Sequence, residues 1–297
     1  MLWDKLLQPH QHMPAGLALD EWYSALLERL ANPSAFELAV LGGNLAPTPG
    51  MAFLAGYQGA LRALWPSAPW TLGALCVTER KSVRPADMQT RLSQLQLSGT
   101  KDFVTAGDAA QWLLVAAREE AEGEPPQVAV TVVESGSTGV LVEPLPALKF
   151  IPDVSHARLT LEDAKCERLP GDGLADYVKP FRSIEDLHVL AAVSAWLFGV
   201  GQNSAWPTAL QLRLLGLLSG CAEVSKMKAN ASTTHVFLGG LFAQFAALSS
   251  ELDSAFAAGE PHWKVLWQRD KALMSIANSA RTTRLQRAQA QFSMPVE

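Results

Sequence analysis

Hydrophobic positions recur at helical spacing from about Leu19. Trp22, Leu26, Leu27 and Leu30 fall on one stripe, which predicts a helix. Asn32-Pro33 stops it, and Ser34 offers an N-cap for the next. A break follows at Ala46-Pro47-Thr48-Pro49-Gly50. A third helix over 51–64 then carries Phe53, Leu54, Tyr57, Leu61 and Leu64. Between about 70 and 163 the period changes to two. TLGALCVTE, TRLSQLQLSG, DFVTA, QWLLVAAR, QVAVTVV, GVLVEP and HARLTLED read as seven short strands. Turn signals stand between them at Ser98-Gly99, Ala106-Gly107-Asp108, 123–126 and 136–139, the last read as a hairpin loop. Leu92, Leu95 and Leu97 alternate imperfectly, so a bulge or shifted register is expected there. Evenly spaced strands without intervening helices predict an antiparallel sandwich or barrel and exclude a Rossmann sheet. After Leu169-Pro170-Gly171-Asp172-Gly173 the helical period returns. Four long helices are expected over 184–199, 208–227, 233–258 and 262–291, forming a bundle.

The pattern thus predicts an α+β chain with a short N-terminal helical region over 1–68, a central β domain over 69–174 and a C-terminal four-helix bundle over 175–297. Its 297 residues can bury a sizeable core, and 48% hydrophobic with 18% charged residues is ordinary for a globular protein. A net charge of -5 argues against a nucleic-acid partner, which needs clustered cations. Arg281, Arg284 and Arg287 lie at helical spacing and read as a solvated face. Cys76, Cys166 and Cys221 are scattered, without the pairing a zinc or redox site requires. His10 and His12 lack an acidic neighbour, so no metal site is expected. The apolar run at 189–200 is too short for a membrane span and reads as a buried helix. The N-terminus shows no secretory pattern, and the expected location is cytoplasmic.

The order helices, sheet, helices, together with particular wording in the sheet zone, resembles the acyl-CoA dehydrogenase family over about 36–199. The carrying residues are Thr78-Glu79, Gly99-Thr100-Lys101, Phe103-Val104-Thr105 and Ala117-Arg118, with SHARLTLEDAKCERLPGDG as the closing strand. The resemblance implies FAD as cofactor and oxidation of a CH–CH bond in an acyl-CoA-like thioester. It implies that Leu75, Val77 and Thr78 line one edge of the flavin, that Phe103 and Thr105 flank the ring, and that Ser82 stands at the phosphate loop. A homodimer or homotetramer through the C-terminal bundle is implied as well.

Family members carry a glutamate as general base. One of its two known places, a late Glu-Gly-Thr, does not occur here. At the other, the first long C-terminal helix, this chain has Ile184-Glu185-Asp186-Leu187, which makes Glu185 the candidate. Asp186 replaces the family's arginine and would push Glu185 toward neutrality. An acidic residue here also suits the first turn of a helix. Further departures stand out. The family's glycine-rich loop is replaced by Arg80-Lys81-Ser82-Val83-Arg84-Pro85, the N-terminal helical region is short, and no Arg-x-x-Phe-Gly occurs in the second C-terminal helix. These departures open a second reading, a non-catalytic binding or partner subunit that has lost flavin.

Overall fold

A computed structural model describes residues 1–120 and 127–294; the turn signal at 123–126 lies outside the described residues. Four helices open the chain: α1 (Leu2–Leu7), α2 (Leu19–Leu30), α3 (Ala35–Leu45) and α4 (Pro49–Leu64). Ser34 caps α3 by accepting from the Glu37 amide at 3.3 Å, while the Glu37 carboxylate accepts from the Ser34 amide at 2.9 Å. Thr48 caps α4 in the same way, through the Met51 amide. With Pro49 in the first turn, the broken segment 46–50 becomes a helix start.

Eight strands follow among the described residues: β1 (Gly73–Cys76), β2 (Arg91–Ser93), β3 (Gln96–Thr105), β4 (Trp112–Glu119), β5 (Gln127–Glu134), β6 (Val140–Pro144), β7 (His156–Lys165) and β8 (Glu167–Arg168). They form one sheet in the order β6-β7-β3-β2-β4-β5-β8, with β1 also on β4. The sheet is mixed rather than antiparallel throughout, because β1 and β2 both run parallel to β4. TRLSQLQLSG divides into β2 and the start of β3, since Gln94 and Leu95 take positive φ and turn the chain. Ser98-Gly99 is therefore not a turn. Gly99 sits inside β3, where a side chain would strike Thr90. The 136–139 loop is no hairpin either: β5 and β6 lie far apart in the strand order.

The C-terminal region centres on α5 (Lys179–Asn203), entered through a π-helical turn over Gly173–Val178 that Asp172 caps. This cap and Pro180 start the helix earlier than residue 184, so Glu185 stands beyond the first turn and does not cap it. The apolar run at 189–200 is buried against α3, α4, α6 (Thr208–Val224) and α7 (Ser232–Ala246). By length and composition α5 with its entry turn could span a membrane, but it is the interior of this fold. The expected helix over 233–258 breaks into α7 and α8 (Ser249–Ala258) where Leu248 turns inward. The one over 262–291 becomes α9 (Pro261–Asp270), a 3-10 turn and α10 (Asn278–Gln291). The break follows from Asp270, whose buried carboxylate accepts from the Ile151 amide at 2.8 Å and fixes the chain there. Trp196, Trp206, Trp263 and Trp267 pack with Phe256 into an aromatic core between these helices.

One buried ion pair ties the sheet together. Lys101 on β3, fully buried, donates to Glu79 at 2.5 Å. Replacing Lys101 by Met leaves Glu79 buried without its cation, an expected loss of about 3–5 kcal/mol by chemical denaturation. The double variant Glu79→Gln/Lys101→Met should recover part of it. Equal losses in single and double variants would contradict this role for the pair.

Candidate functional site

The last residues of α4 hold β1 in place. The Gln58 side-chain amide pairs both polar groups of Gly73, at 2.8 and 3.1 Å, as a neighbouring strand would. At the preceding residue the Tyr57 hydroxyl accepts from the Leu75 amide at 2.9 Å. Arg62, also buried, donates to the carbonyls of Gln58, Pro69 and Thr71 and fixes the loop leading into β1. Alternate residues of β1 are thereby locked to the helical layer.

Beyond β1 the chain reaches Thr78-Glu79. The Glu79 carboxylate takes Lys101 and the amides of Gln89 and Thr90, and the Thr78 carbonyl accepts from the Asp102 amide at 2.9 Å. Burial alone would push the Glu79 carboxyl up; the hydrogen bond and charge of Lys101 overrule it and hold it below the usual carboxylate range. The Thr-Glu pair and the Gly-x-Lys segment, adjacent only in space, thus form one clamp. Just past it the register of β3 on β7 slips, with Lys101 facing Leu159 and Val104 facing Ala157. The extra residue is a β-bulge, and bulges re-aim the side chains beside them. Here Phe103 turns out of the sheet, 47% exposed, and Thr105 follows onto the same face.

These residues border one cleft of about 220 Å³ between the sheet and α5. Leu75, Val77, Thr78, Phe103, Thr105 and Glu185 all line it, with Tyr57 and Phe181. Ser82 does not: its hydroxyl donates to Asp87 at 2.6 Å within the surface turn. On the far side Glu185 also lines a second, mainly apolar cavity of about 250 Å³, bounded by Phe53, Phe150, Val189 and Phe242. The wall formed by the β6–β7 loop is pinned by Thr48 and Arg269, both bonded to Asp153, and by Asp270.

The electrostatics of Glu185 follow from this position. Burial and then the Asp186 charge push its carboxyl up to about 8, opposed by Arg284. Asp186 itself is bound by Arg281 at 2.8 Å and by Arg284, both from α10. Two of the three arginines read as a solvated face therefore turn inward, because Asp186 is buried beneath α10. Sequence spacing could not find this pairing, which joins residues nearly a hundred positions apart.

Whether a flavin suits these residues can be judged at each end. At the ring end it does. The Val77 and Thr78 amides meet no acceptor among the described residues, and they border the same cleft as the Thr78 and Thr105 side chains. Buried ring acceptors need such donors, at about 1–3 kcal/mol for each left unpaired. At the phosphate end it does not. Arg80 and Lys81 form a tight turn with φ of 47° and 63°, and the Lys81 amide is already given to Asp102 at 2.7 Å.

Because Glu185 keeps its proton in the folded state up to about 8, while the unfolded chain loses it near 4.5, stability should fall as pH rises between those values. Glu185→Gln should accordingly stabilise the protein more at pH 9 than at pH 5, by about 1–3 kcal/mol in denaturant titrations. The same effect at both pH values would show that the carboxyl is not perturbed.

No protein-family model matches this sequence, and no curated protein matches it. Solved structures do. "FkbI for Biosynthesis of Methoxymalonyl Extender Unit" of an Fk520 polyketide is 19% identical, with a TM-score of 0.66 over 94% of this chain and 96% of that one. FMN-bound TdsC from Paenibacillus sp. A11-2 is 13% identical, with a TM-score of 0.68 over 93% and 89%. Butyryl-CoA dehydrogenase from Megasphaera elsdenii is 13% identical, with a TM-score of 0.64 over 92% and 88%. These likenesses span nearly the whole chain, including the C-terminal helices where the sequence resemblance fades. The chain has the fold of the acyl-CoA dehydrogenases.

Proposed function

We propose that this protein is a flavin-dependent oxidoreductase acting on a CH–CH bond of an acyl-CoA-like thioester, with Glu185 as the general base. The observation that carries the reading is the position of Glu185. Its carboxyl borders both the cleft lined by Thr78, Phe103 and Thr105 and the apolar cavity behind it. An acyl chain in that cavity would bring its α-carbon to the carboxyl at the junction. A flavin ring, when bound, supplies the hydride acceptor for the β-carbon. The protein's own residues do the rest. Glu185 takes the α-proton, Phe53, Val189 and Phe242 exclude water, and the free amides of Val77 and Thr78 meet the ring's acceptors. The alternative, a partner subunit without flavin, draws support from the closed turn at Arg80–Lys81.

A base must be ionised to accept a proton, so turnover should rise with pH up to a limb near 8. Mass spectrometry of butyryl-CoA incubated with the protein and excess flavin in heavy water reads the step directly. Deuterium should enter at the α-carbon, and Glu185→Gln should slow this by about 10²-fold or more. Exchange at an undiminished rate in Glu185→Gln would remove the residue from the mechanism. No exchange in the wild-type protein would favour the partner-subunit reading.

A homodimer or homotetramer belongs to the same proposal. Leu212 on α6 and Phe237 on α7 are 61% and 59% exposed on the outer bundle, an arrangement that a second copy would bury. Light scattering at micromolar concentration should give a mass of two or four chains, and a monomer there would contradict this oligomeric proposal.

A further inference from the structure

The turn that replaces the family's glycine-rich loop is closed to phosphate in a specific way. A phosphate nest needs several amides pointing at one place, with no carboxylate beside it. Here four of the six amides over 79–84 are spent locally. Those of Glu79 and Ser82 are exchanged with each other's carbonyls at 2.9 and 2.8 Å. The Lys81 amide goes to the Asp102 carboxylate at 2.7 Å, and the Arg84 amide to the Ser82 hydroxyl at 3.2 Å. Ser82 in turn donates to Asp87 at 2.6 Å.

Two carboxylates, Asp102 and Asp87, thus take donors of this turn that a diphosphate would need. Arg80, Lys81 and Arg84 are exposed cations on the same turn. Solvated cations of this kind contribute only about 0–1 kcal/mol each to holding an anion, and salt screens them. They do not substitute for a nest. The turn borders the ring end of the cleft only through the apolar side chain of Val83, and the Val77 and Thr78 amides are not among those the turn consumes.

We infer that the cleft recognises a flavin through its ring alone, so that riboflavin binds about as tightly as FAD. The inference rests on the flavin reading above and adds that neither the diphosphate nor the adenylate arm is held by this chain. Dissociation constants for riboflavin, FMN and FAD, measured on the full chain by quenching of flavin fluorescence at physiological salt, test it. All three should agree within tenfold. FAD or FMN binding tenfold or more tightly than riboflavin would overturn the inference while leaving the flavin reading intact. Binding of none of the three would remove both.

Discussion

The buried pair between Glu79 and Lys101 is the contact on which the cleft depends. It draws the segment after β1 against β3, and the Asp102 amide then reaches the Thr78 carbonyl. Without that approach the two edges lined by Val77-Thr78 and Phe103–Thr105 would have no reason to face a common space. The pair is costly to leave half-made, which makes its geometry sharply specified. Pinning from the other side comes from α4, where Tyr57 and Gln58 take alternate residues of β1. Between them, a four-residue strand is held as firmly as a longer one.

A second constraint comes from α5. Its apolar residues are enclosed by α3, α4, α6 and α7, so the helix has little freedom to shift, and Glu185 is carried on it at a fixed height above the sheet. Carboxylates are seldom placed on such a helix without compensation. Here the neighbour, Asp186, receives two arginines from α10, while Glu185 faces the cavities and gains only the more distant charge of Arg284. Burial raises both adjacent carboxyls, but only at Asp186 do two bonded arginines oppose it. Asp186 is held as the partner of Arg281 and Arg284, while Glu185, raised to about 8, faces the cavities with a high affinity for a proton.

Much of the fold could be read along the chain because it rests on local signals. The stripe of Trp22, Leu26 and Leu30, the Ser34 cap and the two-residue period of the middle zone all report nearby neighbours. What escaped depends on distant ones. Lys101 is marked in the sequence only as part of the Gly-x-Lys segment, and nothing there shows that it is fully buried against Glu79. Arg281 and Arg284 look solvated until Asp186 is found under them, and the helix expected over 262–291 is broken by a bond from the Ile151 amide to Asp270. The parallel pairing of β1 and β2 with β4 leaves no mark in alternation, since the period is the same in either direction. Of the site residues, all but Ser82 share the cleft, and Ser82 departs because the turn it belongs to lacks the glycines that would open it.

The chemistry proposed for the cleft requires that the surroundings raise the proton affinity of the Glu185 carboxyl well above that of an ordinary glutamate. Carbon-13 NMR of protein labelled at the glutamate carboxyls, compared with the same spectrum of Glu185→Gln, isolates this one group. A signal that titrates near 8 is the expected result. One that titrates in the ordinary glutamate range, at about 4–4.5, would contradict it.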